Sequence, residues 1–504
     1  MVPISLSSKK FLDNKAECYV FIVEDNFKPS PSMEELKKKF FPQLNELFNH
    51  HKFTGKLLST VVLPVALNDR FVQCVFIGMG KHKSDKKIDF EHYRRAVGQA
   101  VKQANALKCE TLAFELPSPK HFGVSAEYLV SQTATIINMS AYYFNDFLTD
   151  PDRKGIEIVD VKLCTDLKDT KVLQEAIKEG DIIAHAVNSA RHWIDMPPSM
   201  TTPQFLADQA RAIAKRTGVK VTVFSEKQIN EMGMGGLAAV SRGSELDCEL
   251  VIMEYKSKKK NAQTLAFVGK GITFDSGGLS IKPADSMEYM KDDMSGAAAV
   301  IAAMEAIAQF KPDVNVICVA PIAENLPSGT ATKPGDIVRF YNGKTAEIKN
   351  TDAEGRLILA DALSYTVKHY KPDAIIDIAT LTGAVAYFLG AFYTGFLSKH
   401  EDLVEKMQES AGIAGERLWR LPLDEDYKPA IRTPVADLSN IGSARYKSGT
   451  ITAAWFLHNF VGDTPWVHLD IAGTAFDVPD ISYYRQGATG AGVRLLIELA
   501  RSWK

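Results

Sequence analysis

The chain has 504 residues, of which 46% are hydrophobic and 24% are charged, and its 59 basic and 61 acidic residues leave a net charge of −2. A chain of this length can bury enough apolar surface for about two to four domains without disulfide bonds. The near balance of charge excludes a disordered acidic chain and argues against a general binder of nucleic acids.

The cysteines and the N-terminus indicate a reducing compartment. The six cysteines are scattered and no CxxC pair occurs, so we expect neither a zinc ribbon nor a thioredoxin-like motif. Scattered single cysteines are typical of buried apolar positions in reduced proteins. The first twenty residues lack the basic start and apolar block of a signal peptide. We therefore predict a cytoplasmic protein.

The first part of the chain alternates strand-like and helix-like segments, and Asp89 is a predicted helix cap. The predicted strands are Tyr19–Val23, Leu57–Leu63, Phe71–Ile77, Thr111–Leu116 and Ile156–Leu163. The predicted helices are Ser32–His50, which Pro42 interrupts, Asp89–Leu107 and Ala126–Leu148. This alternation predicts an α/β domain with a largely parallel sheet over residues 1–170.

A long helical pattern over Lys171–Asp195 follows and ends at MPPSMTTP. Proline stops one helix, and Thr202-Pro203 caps the next one with proline at its first position. We therefore predict a connecting helix and linker at 171–200 and a second domain at 201–504.

The second part is longer and richer in glycine. Its predicted strands are Val219–Phe224, Glu249–Tyr255, Thr264–Val268, Val314–Ala320, Ala374–Ala379 and Trp466–Asp470. Its predicted helices are Pro203–Arg216, Met294–Phe310, Gly355–Tyr370, Glu401–Gly412, Thr450–Phe460 and Gly490–Trp503. The lysine run at 256–260 follows a strand, and we interpret it as a solvated turn rather than a nucleic-acid contact.

One uncharged stretch, Ile378–Ser398, has the length of a transmembrane helix. It contains several glycines and threonines, and Asp377 precedes it directly. We therefore predict a buried strand that runs into a loop and a core helix, and no membrane span.

Two segments place charged residues where strands should end, which is where α/β folds bind ligands. The first, at 268–300, contains Lys270, Asp275, Lys282 and Asp293 among glycines. Alone, it is also compatible with a glycine-rich phosphate loop or with a surface turn whose aspartate caps a helix. Neither GxxxxGK[ST] nor GxGxxG occurs in it.

The second segment is NTDAEGRLILADAL at 350–363, in which Asp352, Glu354 and Arg356 are spaced by two. In an extended stretch this spacing puts the three side chains on one face. The alternative is an ordinary helix start whose acids complement the helix dipole. That alternative explains the two carboxylates but not the arginine.

Together the two segments contain four acids and no nearby histidine. The four acids are Asp275, Asp293, Asp352 and Glu354. Together they carry a charge of −4, which two divalent cations would neutralise. Two cations about 3.5–4 Å apart that share carboxylates form a hydrolytic site. Carboxylate oxygens suit Mg²⁺ and Mn²⁺, and Zn²⁺ accepts them as well.

These segments resemble the signatures of the cytosolic leucyl aminopeptidase family of dinuclear metallo-exopeptidases. NTDAEGRLILADAL is similar to its fourteen-residue signature, and VGKGITFDSGGLSIKP followed by MKDDMSGAAAV is similar to its other metal-binding segment. The resemblance extends from about Ala190 to the C-terminus through MGGLAAVSRGS, ATLTGA and LDIAGTA. The first 170 residues resemble the family's N-terminal domain only in layout.

The resemblance implies a fold and a ligand set. The fold is α/β, with a smaller N-terminal domain joined by a long helix to a larger catalytic domain that has a mixed, mostly parallel sheet covered by helices. The ligands implied for the tighter metal ion are Lys270, Asp275, Asp293 and Glu354. Those implied for an exchangeable ion are Asp275, Asp352 and Glu354. A lysine ligand is neutral, so the cations must lower the pKa of Lys270 strongly.

The implied reaction removes an N-terminal amino acid, preferably an apolar one such as leucine, from a short peptide by means of a water activated by two metals. Lys282 resembles the catalytic lysine, which stays charged and stabilises the oxyanion. Arg356 resembles the catalytic arginine, and it would hold a bicarbonate ion that shuttles the proton, because no side-chain base is evident.

The resemblance also implies a pocket for the first side chain of the substrate. By position its residues are Met290, Thr380, Leu381, Gly383, Ala472 and Ala475. Each of these would also pass for a core residue. Ala475 stands where the best-known members carry methionine, so a deeper pocket is expected. Asp292 is a less usual neighbour of Asp293.

The implied partners are short peptides with a free N-terminus and further copies of the chain, which would form a homohexamer. No nucleic acid or membrane partner is expected.

Two other hypotheses remain: a catalytically silent scaffold on the same fold, and another two-metal hydrolase such as a phosphatase. No polar site residue is missing, which weighs against the scaffold. Phosphate sites usually add arginines or backbone nests beyond those seen here.

Overall fold

The computed structural model describes residues 1–67, 69–81, 88–165, 167 and 170–503. The chain forms two compact units, Met1–His185 with Asp480–Arg485, and Ala186–Pro479 with Gln486–Lys504. The division between them falls inside the long helix that follows residue 170. The predicted domain limits of 1–170, 171–200 and 201–504 remain a division based on the sequence.

The first unit is built on a six-stranded sheet in the order β1-β6-β5-β2-β4-β3. The strands are β1 Ile4–Ser7, β2 Cys18–Val23, β3 Thr60–Leu67, β4 Arg70–Gly78, β5 Thr111–Glu115 and β6 Asp160–Cys164. All neighbours pair in parallel except β3 and β4. Every residue of β2 is buried, as expected for a strand in the middle of a covered parallel sheet.

The helices of this part are α1 Pro31–Lys39, α2 Leu44–His50, α3 Phe90–Ala106, α4 Ala126–Ser140 and α5 Lys171–Asp195. Asp89 caps α3 by accepting a hydrogen bond from the backbone N–H of Glu91 at 3.0 Å. The predicted helix at Ala126–Leu148 is too long, because the aromatic residues after Ser140 continue the apolar pattern while the chain leaves the helix. Strand β1 was not predicted, because four residues of mixed polarity carry little signal.

The second unit contains a nine-stranded sheet in the order β16-β15-β18-β14-β9-β11-β8-β7, with β10 paired to β11. Its strands are β7 Lys220–Ser225, β8 Glu249–Tyr255, β9 Thr264–Gly269, β10 Gly271–Asp275, β11 Asn315–Asn325, β14 Ala374–Ala379, β15 Thr394–Leu397, β16 Leu418–Arg420 and β18 Trp466–Asp470. A small sheet is formed by β12 Ile337–Arg339, β13 Thr345–Glu347 and β17 Leu438–Ser439.

The strands at the centre of the large sheet are parallel to one another, from β18 through β14 and β9 to β11 and β10. Strand β8 pairs antiparallel to β11 and to β7, and β15 pairs antiparallel to β18 but parallel to β16. The predicted α/β class with a mixed, mostly parallel sheet is therefore confirmed. The parallel arrangement also brings the carboxyl ends of β9, β10 and β14 to one edge of the sheet.

The helices of the second unit cover this sheet. They are α6 Pro203–Thr217, α7 Glu226–Glu231, α8 Gly235–Ser241, α9 Ala284–Met287, α10 Ser295–Phe310, α11 Gly355–Tyr370, α12 Gly383–Leu389, α13 Glu401–Ala414, α14 Gly449–His458 and α15 Val493–Ser502. Helices α10 and α11 both pack against β9 and β11. Alanine in α10 favours the helix and lets it approach the sheet closely.

The uncharged stretch Ile378–Ser398 divides into the end of β14, a loop, α12 and β15. The predicted strand and loop are present, but the core helix is wrong, because α12 exposes Tyr387 by 94% and Phe388 by 55%. Among the helices that the structure describes, none is long and apolar enough to cross a membrane. The lysines of the run at 256–260 are exposed in a turn after β8.

Candidate metal centre

The two charged segments meet at the edge of the sheet where β9 and β10 end and where α11 begins. A cavity of about 290 Å³ opens there. All seven polar residues predicted for the site line it: Lys270, Asp275, Lys282, Asp293, Asp352, Glu354 and Arg356. The cavity volume is near the lower limit for ligand pockets.

Three carboxylates form the centre of this site. One oxygen of each of Asp275, Asp293 and Glu354 lies within 4.8 Å of the others, and all three residues are buried. The ammonium of Lys270 lies 2.7 Å from Asp293 Oδ1 and 2.9 Å from Glu354 Oε1. Three carboxylates and an amine at this spacing are a donor set for one cation.

The fourth acid lies on the other side of Asp275. The Lys282 ammonium is 2.9 Å from Asp275 Oδ2 and 2.6 Å from Asp352 Oδ1. Burial acts to lower the pKa of Lys282, but Asp275, Asp352 and Glu354 together raise it above its ordinary value. Lys282 is therefore charged. It bridges the two carboxylates and lines the cavity with them.

Glycines allow the two segments to approach. Gly277 has φ 85°, and a Cβ there would lie 2.9 Å from Asp352 Oδ1 in the second segment. A Cβ on Gly355 would lie 2.4 Å from Lys270 Cε. Real Cβ atoms do not approach this closely, so a larger residue at either position would push the two segments apart.

The negative charges of the acids in the cavity outnumber the positive charges of the basic residues there. Burial raises the pKa of Asp275 to about 7, and the charge of Glu354 adds to this effect although both lysines oppose it. Burial also raises the pKa of Asp293 well above its ordinary value. For Glu354 the two lysines outweigh burial and lower its pKa.

The site fits a divalent cation, as its unpaired oxygens show. Asp293 Oδ2 and Glu354 Oε2 are buried and have no hydrogen-bond partner in the part of the chain that the structure describes. Buried carboxylate oxygens are normally satisfied by donors or by metals. Without a cation, Asp293 and Glu354 raise the pKa of Lys270 although burial opposes them. A bound cation must therefore displace the Lys270 proton before that amine can act as a ligand.

Arg356 enters the site from the first turn of α11. Its Nη1 donates to the Asn440 carbonyl oxygen at 2.8 Å, and burial lowers its pKa to about 10. The backbone of Glu354 is helical, with φ −81° and ψ −36°. The expectation that Asp352, Glu354 and Arg356 share one face of an extended stretch is therefore wrong. They share the cavity because the chain turns into α11 between them.

Five of the six residues predicted for the side-chain pocket line the same cavity: Met290, Thr380, Leu381, Gly383 and Ala472. Ala475 is not among the described residues that line it, and it is only 1% exposed. Thr380 also contacts the metal centre. Its hydroxyl donates to Asp293 Oδ1 at 2.8 Å, and its carbonyl accepts from Lys270 Nζ at 2.9 Å.

Some residues of the site were not predicted. Ser286, Ala353 and Thr382 line the cavity, as does Asp292, whose pKa burial raises to about 7. Asn440 holds Arg356, but it lies in a loop without any periodic pattern. Asn325 contacts Asp275, and the only signal for it was a polar residue at the end of an apolar strand.

An α/β fold with buried acids gathered at the carboxyl ends of parallel strands is typical of metal-dependent enzymes. Two family models match the chain. The cytosol aminopeptidase family, catalytic domain, matches residues 188–497, and the N-terminal domain of the same family matches residues 20–151. The chain belongs to the cytosol aminopeptidase family, and it is a metal-dependent aminopeptidase.

Relatives and solved structures agree with this assignment. A probable cytosol aminopeptidase of Desulforapulum autotrophicum is 40% identical over 92% of this chain and 90% of its own length. One of Aquifex aeolicus is 39% identical over 95% of this chain and 94% of its own. The match at residues 20–151 shows that the likeness of the first part extends beyond layout.

Two solved structures share the whole fold. A variant of tomato leucine aminopeptidase has a TM-score of 0.87 and 30% identity, and the match covers 99% of this chain and 96% of that one. The bottromycin maturation enzyme BotP in complex with Mn has a TM-score of 0.84 and 30% identity, over 97% of this chain and 99% of that one.

Proposed function

We propose that the protein removes N-terminal amino acids, preferably apolar ones such as leucine, from short peptides by means of two divalent cations. The observation that carries this proposal is the convergence of four acids and two lysines in one cavity of about 290 Å³. Four carboxylates balance two divalent cations. A cavity of this size suits one end of a short peptide rather than a folded chain.

Two overlapping sets of residues would hold the cations. Lys270, Asp275, Asp293 and Glu354 would hold one ion, and Asp275, Asp352 and Glu354 the exchangeable one. When bound, divalent cations acidify water and polarise the scissile carbonyl. Mn²⁺, Zn²⁺ and Mg²⁺ all suit these ligands, and the manganese complex of the similar enzyme BotP favours Mn²⁺.

The residues of the cavity support an exopeptidase. Five acidic residues and three basic ones line it, and four of the acids would hold the two cations. The free α-amine of a peptide, in its neutral form, would be a ligand of one of these cations. A peptide bond in the middle of a chain offers no amine, so specificity for the N-terminus follows.

The positive residues supply the remaining chemistry. Lys282, which is charged and lines the cavity, would donate a hydrogen bond to the carbonyl oxygen as negative charge develops on it. Among the described residues that line the cavity there is no histidine to serve as a base. A bicarbonate ion held by Arg356 would accept the proton, because a guanidinium binds a planar oxyanion with two parallel hydrogen bonds.

Apolar residues support a preference for leucine. Met290, Leu381 and Ala472 border the cavity beside the acids, and Gly383 leaves open space where a side chain would stand. These residues give the first side chain of a peptide an apolar part of the wall to contact.

We also propose a homohexamer in the cytoplasm. The aromatic side chains of Tyr387, Phe388 and Trp419 are 94%, 55% and 57% exposed, and exposed apolar surface of this kind marks interaction sites. Further copies of the chain would cover it. All six cysteines are free and buried, which suits a reducing compartment.

The test is hydrolysis of leucine amide and a leucine anilide by the purified full chain. Activity is measured after chelation, then after addition of Mn²⁺ or Zn²⁺, beside Asp352→Asn and Lys282→Ala and beside a phosphate ester as substrate. We expect amide hydrolysis that returns with metal and is lost in both variants. Hydrolysis of the ester alone, or of nothing with any divalent metal, would contradict the proposal. Lysine and glutamate anilides test the apolar preference.

A further inference from the structure

Asn325, the last residue of β11, connects the two charged segments from outside the cavity. It is 4% exposed, and its side-chain nitrogen donates to Asp275 Oδ1 at 2.8 Å and to the Thr351 carbonyl oxygen at 3.1 Å. Both N–H groups of the carboxamide are therefore used, one on each segment. Asn325 is not among the described residues that line the cavity.

The first hydrogen bond fixes the Asp275 carboxylate. Its Oδ1 also accepts from the backbone N–H of Gly277 at 2.8 Å, whereas its Oδ2 faces Lys282 at 2.9 Å. Two donors on one oxygen define how the carboxylate is turned. Rotation of this group would break both bonds at once.

The second hydrogen bond fixes the residue before Asp352. The Thr351 hydroxyl donates to the Gly277 carbonyl at 2.6 Å and accepts from the Ser280 backbone at 2.8 Å. The Ser280 hydroxyl accepts in return from the Thr351 backbone at 3.1 Å. Asn325 completes this network, which joins the loop after β10 to the start of the second segment.

The backbone of Asn325 is itself anchored. Its carbonyl accepts from the backbone N–H of Ser276 at 3.0 Å and from the Ser276 hydroxyl at 2.7 Å, and Asn325 pairs with Asp275 in the β10–β11 register. The carboxamide therefore acts from a rigid strand. A group held in this way can fix the orientation of the side chains that it contacts.

We propose that Asn325 is a positioning residue of the metal centre, which sets the orientation of the Asp275 carboxylate and its separation from Asp352. The inference rests on the proposed role of these two acids as metal ligands. Partners that orient metal ligands typically contribute about 10–100-fold to metal affinity or activity. We expect a loss of this size when the carboxamide is removed.

The chain contains a matched control at the other end of the same strand. Asn315 is the first residue of β11, its side-chain nitrogen donates to the Ala262 carbonyl at 3.0 Å, and its Oδ1 accepts from Ser257 at 3.0 Å. It therefore also joins two parts of the chain by side-chain hydrogen bonds, and it is not among the described residues that line the cavity. Asn315→Ala reports the general cost of losing a bridging asparagine.

The experiment titrates Mn²⁺ into the metal-free full chain by calorimetry for the wild type, Asn325→Ala, Asn325→Leu and Asn315→Ala. The leucine variant keeps the volume of the side chain if the alanine variant does not fold. We expect both Asn325 variants to bind Mn²⁺ about 10–100-fold more weakly and Asn315→Ala to bind like the wild type. At saturating Mn²⁺, kcat for leucine amide should fall in the Asn325 variants while KM changes little.

Mn²⁺ affinities of folded Asn325 variants within about twofold of the wild type would overturn the inference, as would an equal loss in Asn315→Ala. A wild-type protein that binds Mn²⁺ but hydrolyses no amide would contradict the proposed function instead. In that case the titration would still report whether Asn325 orients the ligands.

Discussion

Both units place an acid at or near the end of a largely buried parallel strand, but the two acids have different surroundings. In the first unit, Asp25 follows β2 and accepts a hydrogen bond from the Thr54 hydroxyl at 2.8 Å, and the exposed ammonium of Lys81 lies at 3.9 Å. In the second unit, Asp275 ends β10 and shares its surroundings with further acids from two other parts of the chain.

The difference shows that a strand end alone does not make a site. The acid of the first unit is satisfied by one neutral hydroxyl and one solvated lysine. The acids of the second unit are buried together, and two of their oxygens have no hydrogen-bond partner within the described residues. Burial of unpaired charge is costly. The second arrangement is therefore explained by a ligand, and the first needs none.

The largest expected effect is that of removing one buried acid of the centre. Asp293→Asn keeps the shape of the side chain but removes one negative charge and leaves an amide beside Lys270. We expect loss of the tighter ion and a fall of kcat/KM of at least about 10³-fold, more than is usual for partners that only orient ligands. Bound metal and leucine amide hydrolysis are measured together.

Asp25→Asn is the matched change in the first unit. It should leave metal content and kcat/KM unchanged, because Asp25 belongs to another sheet. If Asp25→Asn lowered activity as far as Asp293→Asn does, the claim that only the acids of the second unit form a functional site would be contradicted.

The next effect concerns Lys282. In Lys282→Ala we expect metal to remain bound and kcat to fall about 10²–10³-fold, as is typical for the loss of one group that stabilises an oxyanion. Steady-state kinetics at saturating metal separates kcat from KM. A rise in KM with unchanged kcat would assign Lys282 to ground-state binding instead.

A smaller effect is expected at Arg356. If this residue holds a bicarbonate ion that accepts a proton, Arg356→Ala should lower kcat by about 10²-fold, the lower limit for such catalysis. Added bicarbonate should accelerate bicarbonate-depleted wild type but not the variant. Equal stimulation of both proteins would place the bicarbonate ion elsewhere.

The smallest effect lies outside the site, at the half-buried imidazole of His458. Burial, and then the charges of Lys399 and Lys428, lower the pKa of His458 to about 4. The pKa of His458 is therefore lower in the folded protein than in the unfolded chain, so the unfolded chain takes up the proton at a higher pH. The free energy of unfolding consequently falls as the pH drops from 6.5 towards 4. In His458→Gln the thermal midpoint should fall less over this range. An identical fall in both proteins would contradict the assignment.

Local signals in the sequence predict much of the fold. The bounds of α5, α11, β8, β14 and β18 match the predicted segments because helical period, caps and apolar runs agree there. Short strands are missed, and the end of an element is misplaced where the hydrophobic pattern continues past it. Strands β15 and β16 have four and three residues, and α12 exposes aromatic residues that a pattern alone places in the core.

The residues of the site were likewise predicted only where a local motif contains them. Its seven polar residues were predicted because they stand in two contiguous motifs with recognisable spacing. The contacts that position them join residues far apart in sequence, such as Arg356 with Asn440 and Asp275 with Asn325. No local pattern encodes those pairs. The exclusion of Ala475 from the cavity wall likewise depends on packing.

The central claim is that two divalent cations share one carboxylate centre. The most direct measurement titrates Mn²⁺ into metal-free full chain and records bound Mn²⁺ and leucine amide hydrolysis in the same samples. We expect two ions per chain, activity that rises with their occupancy, and a single tighter ion in Asp352→Asn. Full activity with no bound ion, or two tight ions retained in Asp352→Asn, would contradict the claim.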